Sequence, residues 1–110
     1  MKILLVGGSG FLGAWVARFL HINQCLARIF DPNKPDSEWH RLSGIRADAT
    51  EWVAGDVSKK SELDDAIRDC EGVINLAGLL TPECSQNPVR GAEVNLIGAI
   101  NVFEGALKHG

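Results

Sequence analysis

A glycine-rich loop directly after a short apolar segment constrains the fold of this chain more than any other feature. The segment Lys2–Val6 runs into Gly7-Gly8-Ser9-Gly10-Phe11-Leu12-Gly13, and a helical pattern follows at once. Glycines spaced in this way permit a tight turn, a close helix–strand crossing and the approach of a pyrophosphate to backbone without Cβ atoms. The positive N-terminus of the following helix favours the same anion. We therefore predict a dinucleotide site, with a turn that binds nothing as the alternative; its candidate residues are Gly7, Gly10, Phe11, Leu12 and Gly13.

Strand-like and helix-like segments alternate along the chain. Short apolar runs are typical of buried parallel strands, and the segments between them have apolar residues at helical spacing. This predicts one α/β domain over residues 1–110: a doubly wound, Rossmann-type parallel sheet of strand order 3-2-1-4, truncated before a fifth strand. The expected strands are Lys2–Val6, Cys25–Phe30, Glu51–Ala54 and Val73–Leu76; the expected helices are Phe11–Leu20, a turn at Ser37–Leu42, one capped by Ser58 or Ser61, and Val89–Lys108.

The helical spacing also predicts which residues pack on the sheet. Each expected helix has one apolar stripe, and Val94 and Ile97 lie off the stripe of the last helix. If nothing pairs with the outer side of Val73–Leu76, that strand presents an open edge. The predicted stripes are Leu12, Val16, Phe19 and Leu20; Leu63, Ala66, Ile67 and Cys70; and Ala92, Leu96, Ala99, Phe103, Ala106 and Leu107.

Composition and charge argue against several classes of function. A formal net charge of −3 gives no basic surface for nucleic acid. No apolar run approaches the roughly 18 residues needed to span a membrane. Three cysteines without CxxC spacing and three histidines predict neither a disulfide framework nor a metal site. We expect a cytoplasmic protein with reduced thiols.

An acidic residue stands where a dinucleotide site requires one. Asp31 follows Arg28-Ile29-Phe30 at the end of the second expected strand. A carboxylate there accepts hydrogen bonds from the adenosine ribose diol and repels a 2′-phosphate, which favours NAD. Lys34 is near enough to keep NADP as the alternative, and Asp31 could instead simply begin an Asp-Pro turn.

Four ordered motifs resemble the extended short-chain dehydrogenase/reductase superfamily, and within it the NAD-dependent epimerase/dehydratase family. The glycine loop resembles TGGxGFIG, with Val6 in place of Thr. Gly55-Asp56-Val57 resembles GD(V/I), and Asn75-Leu76-Ala77-Gly78 resembles (H/N)-x-A-(A/G). The segment 93–102 resembles the family's VNxxGTxN helix. Sugar-nucleotide members often have Lys shortly after Ala-Gly, whereas this chain has Leu80.

The resemblance implies roles for further residues. Asp56 and Val57 would contact the adenine, while Leu76, Ala77 and Gly78 would pass beneath the ribose on the nicotinamide side. Asn95 would help to hold the cofactor and the active-site water structure. Each residue also has a purely structural alternative: a helix-entry acid, small residues at a strand end, or a satisfied polar residue on a helix.

The family's catalytic groups are not found in this sequence. They are a Ser or Thr after a fifth strand and a Tyr-x-x-x-Lys on the next helix, but the chain contains no tyrosine. The resemblance thus implies the NAD-binding part of an enzyme that acts on a sugar nucleotide or similar hydroxyl-bearing substrate, inactive by itself. It also implies a possible homodimer through the Val89–Lys108 helix. The alternative is a stand-alone, non-catalytic dinucleotide-binding or regulatory module.

Overall fold

A four-stranded parallel sheet forms the centre of the molecule, in a computed structural model that describes residues 1–79 and 81–109. The strands are β1 (Lys2–Val6), β2 (Leu26–Phe30), β3 (Glu51–Val53) and β4 (Gly72–Asn75), in the order β3-β2-β1-β4. Val6 lies opposite both Phe30 and Asn75, so the carboxyl ends of the three strands β2, β1 and β4 are level. The predicted α/β fold and strand order are confirmed.

Helical segments connect the strands and cover both faces of the sheet. They are α1 (Phe11–Ile22), α2 (Ser37–Ser43), α3 (Lys60–Ile67), α4 (Thr81–Gln86), α5 (Pro88–Ala92) and α6 (Gly98–His109), with a π turn at Glu93–Ile97 between the last two. One apolar cluster joins the sheet to α3 and α6, and another joins it to α1 and α2. Within the described residues, no helix is long and apolar enough to cross a membrane, and no cluster of three or more potential metal ligands occurs.

The predicted buried face of α1 is wrong in part. Leu20 is buried as expected, but Leu12 and Phe19 are 60% and 66% exposed. The residues that face the sheet are small, including Gly13 and Ala17. A Cβ on Gly13 would lie 2.1 Å from the Gly8 carbonyl oxygen, so at this point α1 passes too close to the glycine loop for a larger residue.

The last helix differs from the prediction in the same way. The helical path is continuous from α5 to α6, but its predicted apolar stripe is exposed except at the half-buried Ala99; Phe103 and Leu107, for example, are 68% and 84% exposed. Val94, predicted to lie off the stripe, is buried. The close approach again occurs through glycine, because a Cβ on Gly98 would lie 2.7 Å from Val57. The buried residues of this helical path are Gly91, Val94, Gly98, Asn101, Val102 and Gly105.

The predicted start of α3 is also wrong. Lys59 is its N-cap and has no side-chain capping bond, and Ser58 instead donates to the Asp56 carboxylate. The predicted stripe of α3 is confirmed, with Leu63, Ala66 and Ile67 buried and Cys70 packed against the same cluster.

Candidate functional site

A cleft of about 540 Å³ opens at the carboxyl ends of β1, β2 and β4. Sequence reasoning missed several of its polar residues, including Ser9, Asn33 and Arg90. Of the residues predicted for the dinucleotide site, Phe11, Leu12, Gly13 and Asn95 do not line this cleft. The others do: Gly7, Gly10, Asp31, Asp56, Val57, Leu76, Ala77 and Gly78.

The glycines of the first loop are required for different reasons. Gly7 has φ +75°, and a Cβ there would lie 2.7 Å from the backbone of Ala77. Gly13 allows α1 to pass the Gly8 carbonyl, as described above. Gly10 meets neither constraint: its φ is −86°, and among the described residues no heavy atom lies within 4 Å of the position of a Cβ. The fold itself therefore leaves open space beside Gly10 that a side chain could occupy.

The start of α1 faces this open space. Gly10 is the N-cap and supplies no side-chain hydrogen bond, and the first turn contains no acidic residue. The first N–H groups of a helix have no partner within the helix. Together with the positive end of the helix dipole, they attract an anion.

Asp31 is held in place at the rim of the cleft. Its Oδ2 accepts from the backbone N–H of Ser9 at 3.2 Å, and its Oδ1 accepts from that of Asn33 at 2.9 Å. The contact with Asn33 is the local turn that the sequence left open as an alternative. The contact with Ser9 links Asp31 to the glycine loop. Because each carboxylate oxygen can accept more than one hydrogen bond, acceptor capacity remains on both.

Asp56 also lines the cleft and is paired with Arg90. The Arg90 guanidinium donates to Oδ2 of Asp56 at 2.8 Å, while Ser58 donates to Oδ1 through both its backbone N–H and its hydroxyl. Burial raises the pKa of the Asp56 carboxyl, but the hydrogen bonds from Ser58 and Arg90 outweigh it, so this pKa lies below the ordinary aspartate value. Asp56 is thus a fixed anion and not the N-cap of α3.

Arg90 could not be assigned from the sequence. It lies on α5, near the Asn87 side chain that caps this helix, and its pairing with Asp56 spans 34 positions. The local signal is its spacing from Glu93, which its guanidinium also contacts at 3.4 Å. That spacing predicts an exposed ion pair on a helix, not a group in the cleft.

Asn95 lies in the π turn and does not line the cleft. Its Oδ1 accepts from the backbone N–H of Leu79 at 2.7 Å, and its Nδ2 donates to the Leu79 carbonyl at 3.1 Å. Both ends of the amide therefore hold the loop after β4, whose residues Leu76, Ala77 and Gly78 line the cleft. The structural alternative for Asn95, a satisfied polar group, and an indirect role at the site are both consistent with this geometry.

Comparison with known proteins identifies the family that this chain matches. Residues 3–110 match the model of the NAD dependent epimerase/dehydratase family. The chain is 28% identical over 99% of its length to UDP-N-acetylglucosamine 4,6-dehydratase (inverting) from Campylobacter jejuni. It is 31% identical over 98% of its length to the bifunctional UDP-glucose 4-epimerase and UDP-xylose 4-epimerase 1 from Pisum sativum. In each case it spans 33% of the relative's own length.

Solved structures show the same fold. UDP-glucose 4-epimerase from Thermus thermophilus, in complex with NAD, superposes with a TM-score of 0.81 at 24% identity. The enzyme from Thermotoga maritima, with UDP-glucose, gives a TM-score of 0.83 at 22% identity. All of this chain is covered in both superpositions, which include 35% of each structure.

Proposed function

The chain belongs to the NAD dependent epimerase/dehydratase family, and on that premise we propose that its cleft binds NAD, as the cofactor portion of an enzyme that acts on a sugar nucleotide. The observation that carries this proposal is the open space at Gly10. The fold would accept a side chain there, yet the sequence has glycine at the start of a helix that attracts an anion. We assign this space to the pyrophosphate.

The two ends of the cleft provide different contacts for the dinucleotide. We assign the pyrophosphate to the N–H groups of Phe11 and Leu12, beside Gly7 and Gly10, with Gly13 allowing the close crossing. The ribose diol of the adenosine half is assigned to Asp31, whose carboxylate retains acceptor capacity. This carboxylate would repel the 2′-phosphate of NADP, which favours NAD. Lys34, which also lines the cleft, would offset part of that repulsion.

Asp56 and Val57 are assigned to the adenine. Because Asp56 is ionised and oriented by Ser58 and Arg90, it can accept a hydrogen bond from an exocyclic amine. Leu76, Ala77 and Gly78 are assigned to the nicotinamide side. Asn95 supports that side indirectly, because it holds the backbone of Leu79.

The substrate class rests on the relatives. Both curated relatives described above are named for UDP-sugars, so we propose a sugar nucleotide as the substrate of the whole enzyme. NAD when bound supplies a hydride acceptor. The chain contains no tyrosine, and the proton transfers of such an enzyme are therefore proposed to depend on groups that residues 1–110 do not supply, so that these residues alone bind without catalysis.

Titration of NAD into Gly10→Ala tests the proposal. The methyl group would enter the phosphate path, so NAD affinity should fall by at least about ten-fold, while the melting temperature of the ligand-free protein should fall only slightly because alanine is a poorer N-cap than glycine. Gly44→Ala is the matched control: it places alanine at φ +75° at the end of α2, so stability should fall and NAD affinity should not. Unchanged NAD affinity in Gly10→Ala would refute the proposed site.

A further inference from the structure

Two buried or half-buried tryptophans make hydrogen bonds to the backbone of the cleft. Trp39, on α2, is 2% exposed, and its indole N–H donates to the Gly8 carbonyl oxygen at 2.7 Å. Trp52, on β3, donates to the Asp31 carbonyl oxygen at 3.0 Å. Neither indole lines the cleft, yet each is bonded to a segment that does.

The bond from Trp39 determines the direction of a single peptide group. The Gly8 carbonyl and the Ser9 N–H belong to the same peptide, which is planar. Trp39 holds the carbonyl end, and the Asp31 carboxylate holds the N–H end at 3.2 Å. The Ser9 hydroxyl adds a bond to the Asn33 carbonyl at 2.7 Å. The Gly8–Ser9 peptide therefore cannot rotate without breaking a bond to the indole or to the carboxylate.

The hydrogen bond from Trp52 holds the backbone of Asp31. Besides Trp52, the Asp31 carbonyl accepts from the backbone N–H of Gly55 at 3.4 Å, and the Asp31 N–H donates to Val53 at 3.3 Å. Asp31 is therefore held through its backbone by β3 and through its carboxylate by the glycine loop. A hydrogen-bonded path runs from Trp39 through the Gly8–Ser9 peptide and Asp31 to Trp52.

We propose that Trp39 and Trp52 are positioning residues of the dinucleotide site: their indole N–H groups fix the Gly8–Ser9 peptide and Asp31 in the orientation that the ligand requires. This inference rests on the proposed binding of NAD. Preorganised groups bind more tightly because no ordering cost remains when the ligand arrives. The two indoles thus act on affinity without touching the ligand.

Isosteric replacement separates this role from ordinary packing. Benzothienylalanine has the shape of tryptophan but lacks the N–H, so it removes the hydrogen bond and leaves the volume. At either position 39 or 52 it should lower NAD affinity about five-fold, the equivalent of one ordinary hydrogen bond. The control is the same replacement at Trp15, which is 45% exposed and packs on Phe11. The NAD affinity of this control variant should equal that of the wild type.

A double-mutant cycle tests whether Trp52 acts through Asp31. In an Asp31→Ala background, removal of the Trp52 N–H should have no further effect on NAD affinity, because the group that it positions is gone. A purely structural role would lower the melting temperature of both backgrounds and leave NAD affinity unchanged. The inference is overturned if the replacement at position 39 or at position 52 leaves NAD affinity unchanged. It is also overturned if the replacement at position 52 lowers NAD affinity as much in the Asp31→Ala background as in the wild type.

The wild-type protein provides a measurement that needs no variant. In ¹H–¹⁵N spectra of the ligand-free protein, the indole N–H groups of Trp39 and Trp52 should exchange with solvent more slowly than that of Trp15, because both are hydrogen-bonded before NAD arrives; exchange as fast as that of Trp15 contradicts the inference. If the wild type binds neither NAD nor NADP, the proposed function fails and this inference with it. If the wild type binds NAD and the variants bind it equally well, only the inference fails.

Discussion

Gly7 and Ala77 bring the loops after β1 and β4 into direct backbone contact: a Cβ on Gly7 would lie 2.7 Å from the Ala77 nitrogen and Cα. Two backbone bonds hold this arrangement, from Gly7 N to the Phe30 carbonyl at 2.8 Å and from Leu76 N to the Val6 carbonyl at 2.7 Å. The floor of the cleft is therefore formed by three strand ends in contact. This contact requires a residue without a side chain at position 7.

Gly7→Ala should consequently destabilise the fold itself. The methyl group meets backbone atoms that are hydrogen-bonded in place, and φ +75° is unfavourable for alanine. We expect a loss of about 2–4 kcal/mol in the free energy of unfolding, measured by urea denaturation. Ala49→Gly, at the exposed end of a 3₁₀ turn, serves as a surface control with a small effect. Equal stability of Gly7→Ala and the wild type would show that the two loops do not make this contact.

Asp31→Ala should weaken NAD binding and narrow the preference for NAD over NADP. The substitution removes charge-assisted hydrogen bonds to the ribose, each worth about 1.5–3 kcal/mol, and also the repulsion of a 2′-phosphate. Calorimetric titration of both dinucleotides measures the effect. Asp48→Ala is the control, because Asp48 is exposed and pairs with Arg46, away from the cleft. A wild type that binds NADP more tightly than NAD would contradict the assignment.

Asp56 should contribute to stability in a pH-dependent way. Its pKa in the folded protein is below the ordinary value because Ser58 and Arg90 stabilise the anion despite burial. A depressed pKa stabilises the fold above the unfolded-state pKa, about 4, and this contribution disappears as the pH falls through the folded-state value. Asp56→Asn should therefore be less stable than the wild type near pH 7, and the difference should shrink below about pH 4. Urea denaturation from pH 3 to pH 7 measures it; a difference that is constant over this range would exclude the coupling.

Self-association is proposed through the exposed face of α6 and the turn before it. Four large apolar residues recur there at helical spacing: Leu96, Ile100, Phe103 and Leu107. Contiguous apolar surface of this kind favours contact with a partner. We expect the wild type to sediment as a dimer at micromolar concentration and Phe103→Glu to sediment as a monomer with unchanged melting of the monomer. Phe19→Glu, on the exposed side of α1, is the matched control; a monomeric wild type would refute the proposed dimer.

The strands and the glycine loop were predictable because their signals are local. A buried parallel strand is a continuous apolar run, and the loop between β1 and α1 shows its spacing in seven consecutive residues. Asp31 and Asp56 could be located for the same reason, since each directly follows a strand or its adjoining glycine. Only the boundaries differ by a residue, as at β4, which begins at Gly72 and ends at Asn75.

The buried faces of α1 and α6 were not predictable from apolar periodicity, whereas that of α3 was. The buried sides of α1 and α6 are rich in glycine and alanine, and most of their large apolar residues are exposed. A periodicity rule gives weight to Phe103 and Leu107, whereas the packing depends on how closely Gly98 can approach Val57. Arg90 was missed for a related reason, since its partner Asp56 is distant in sequence.

The open space at Gly10 makes it possible to distinguish selection for folding from selection for dinucleotide binding in the glycine loop. At Gly7 and Gly13 a side chain collides with the protein's own backbone, so a selection for folding alone would retain glycine. At Gly10 such a selection would let other small residues accumulate, because nothing in the fold opposes them. In a library of variants sorted first for folding and then for dinucleotide binding, position 10 should thus be permissive in the first sort and restricted to glycine in the second.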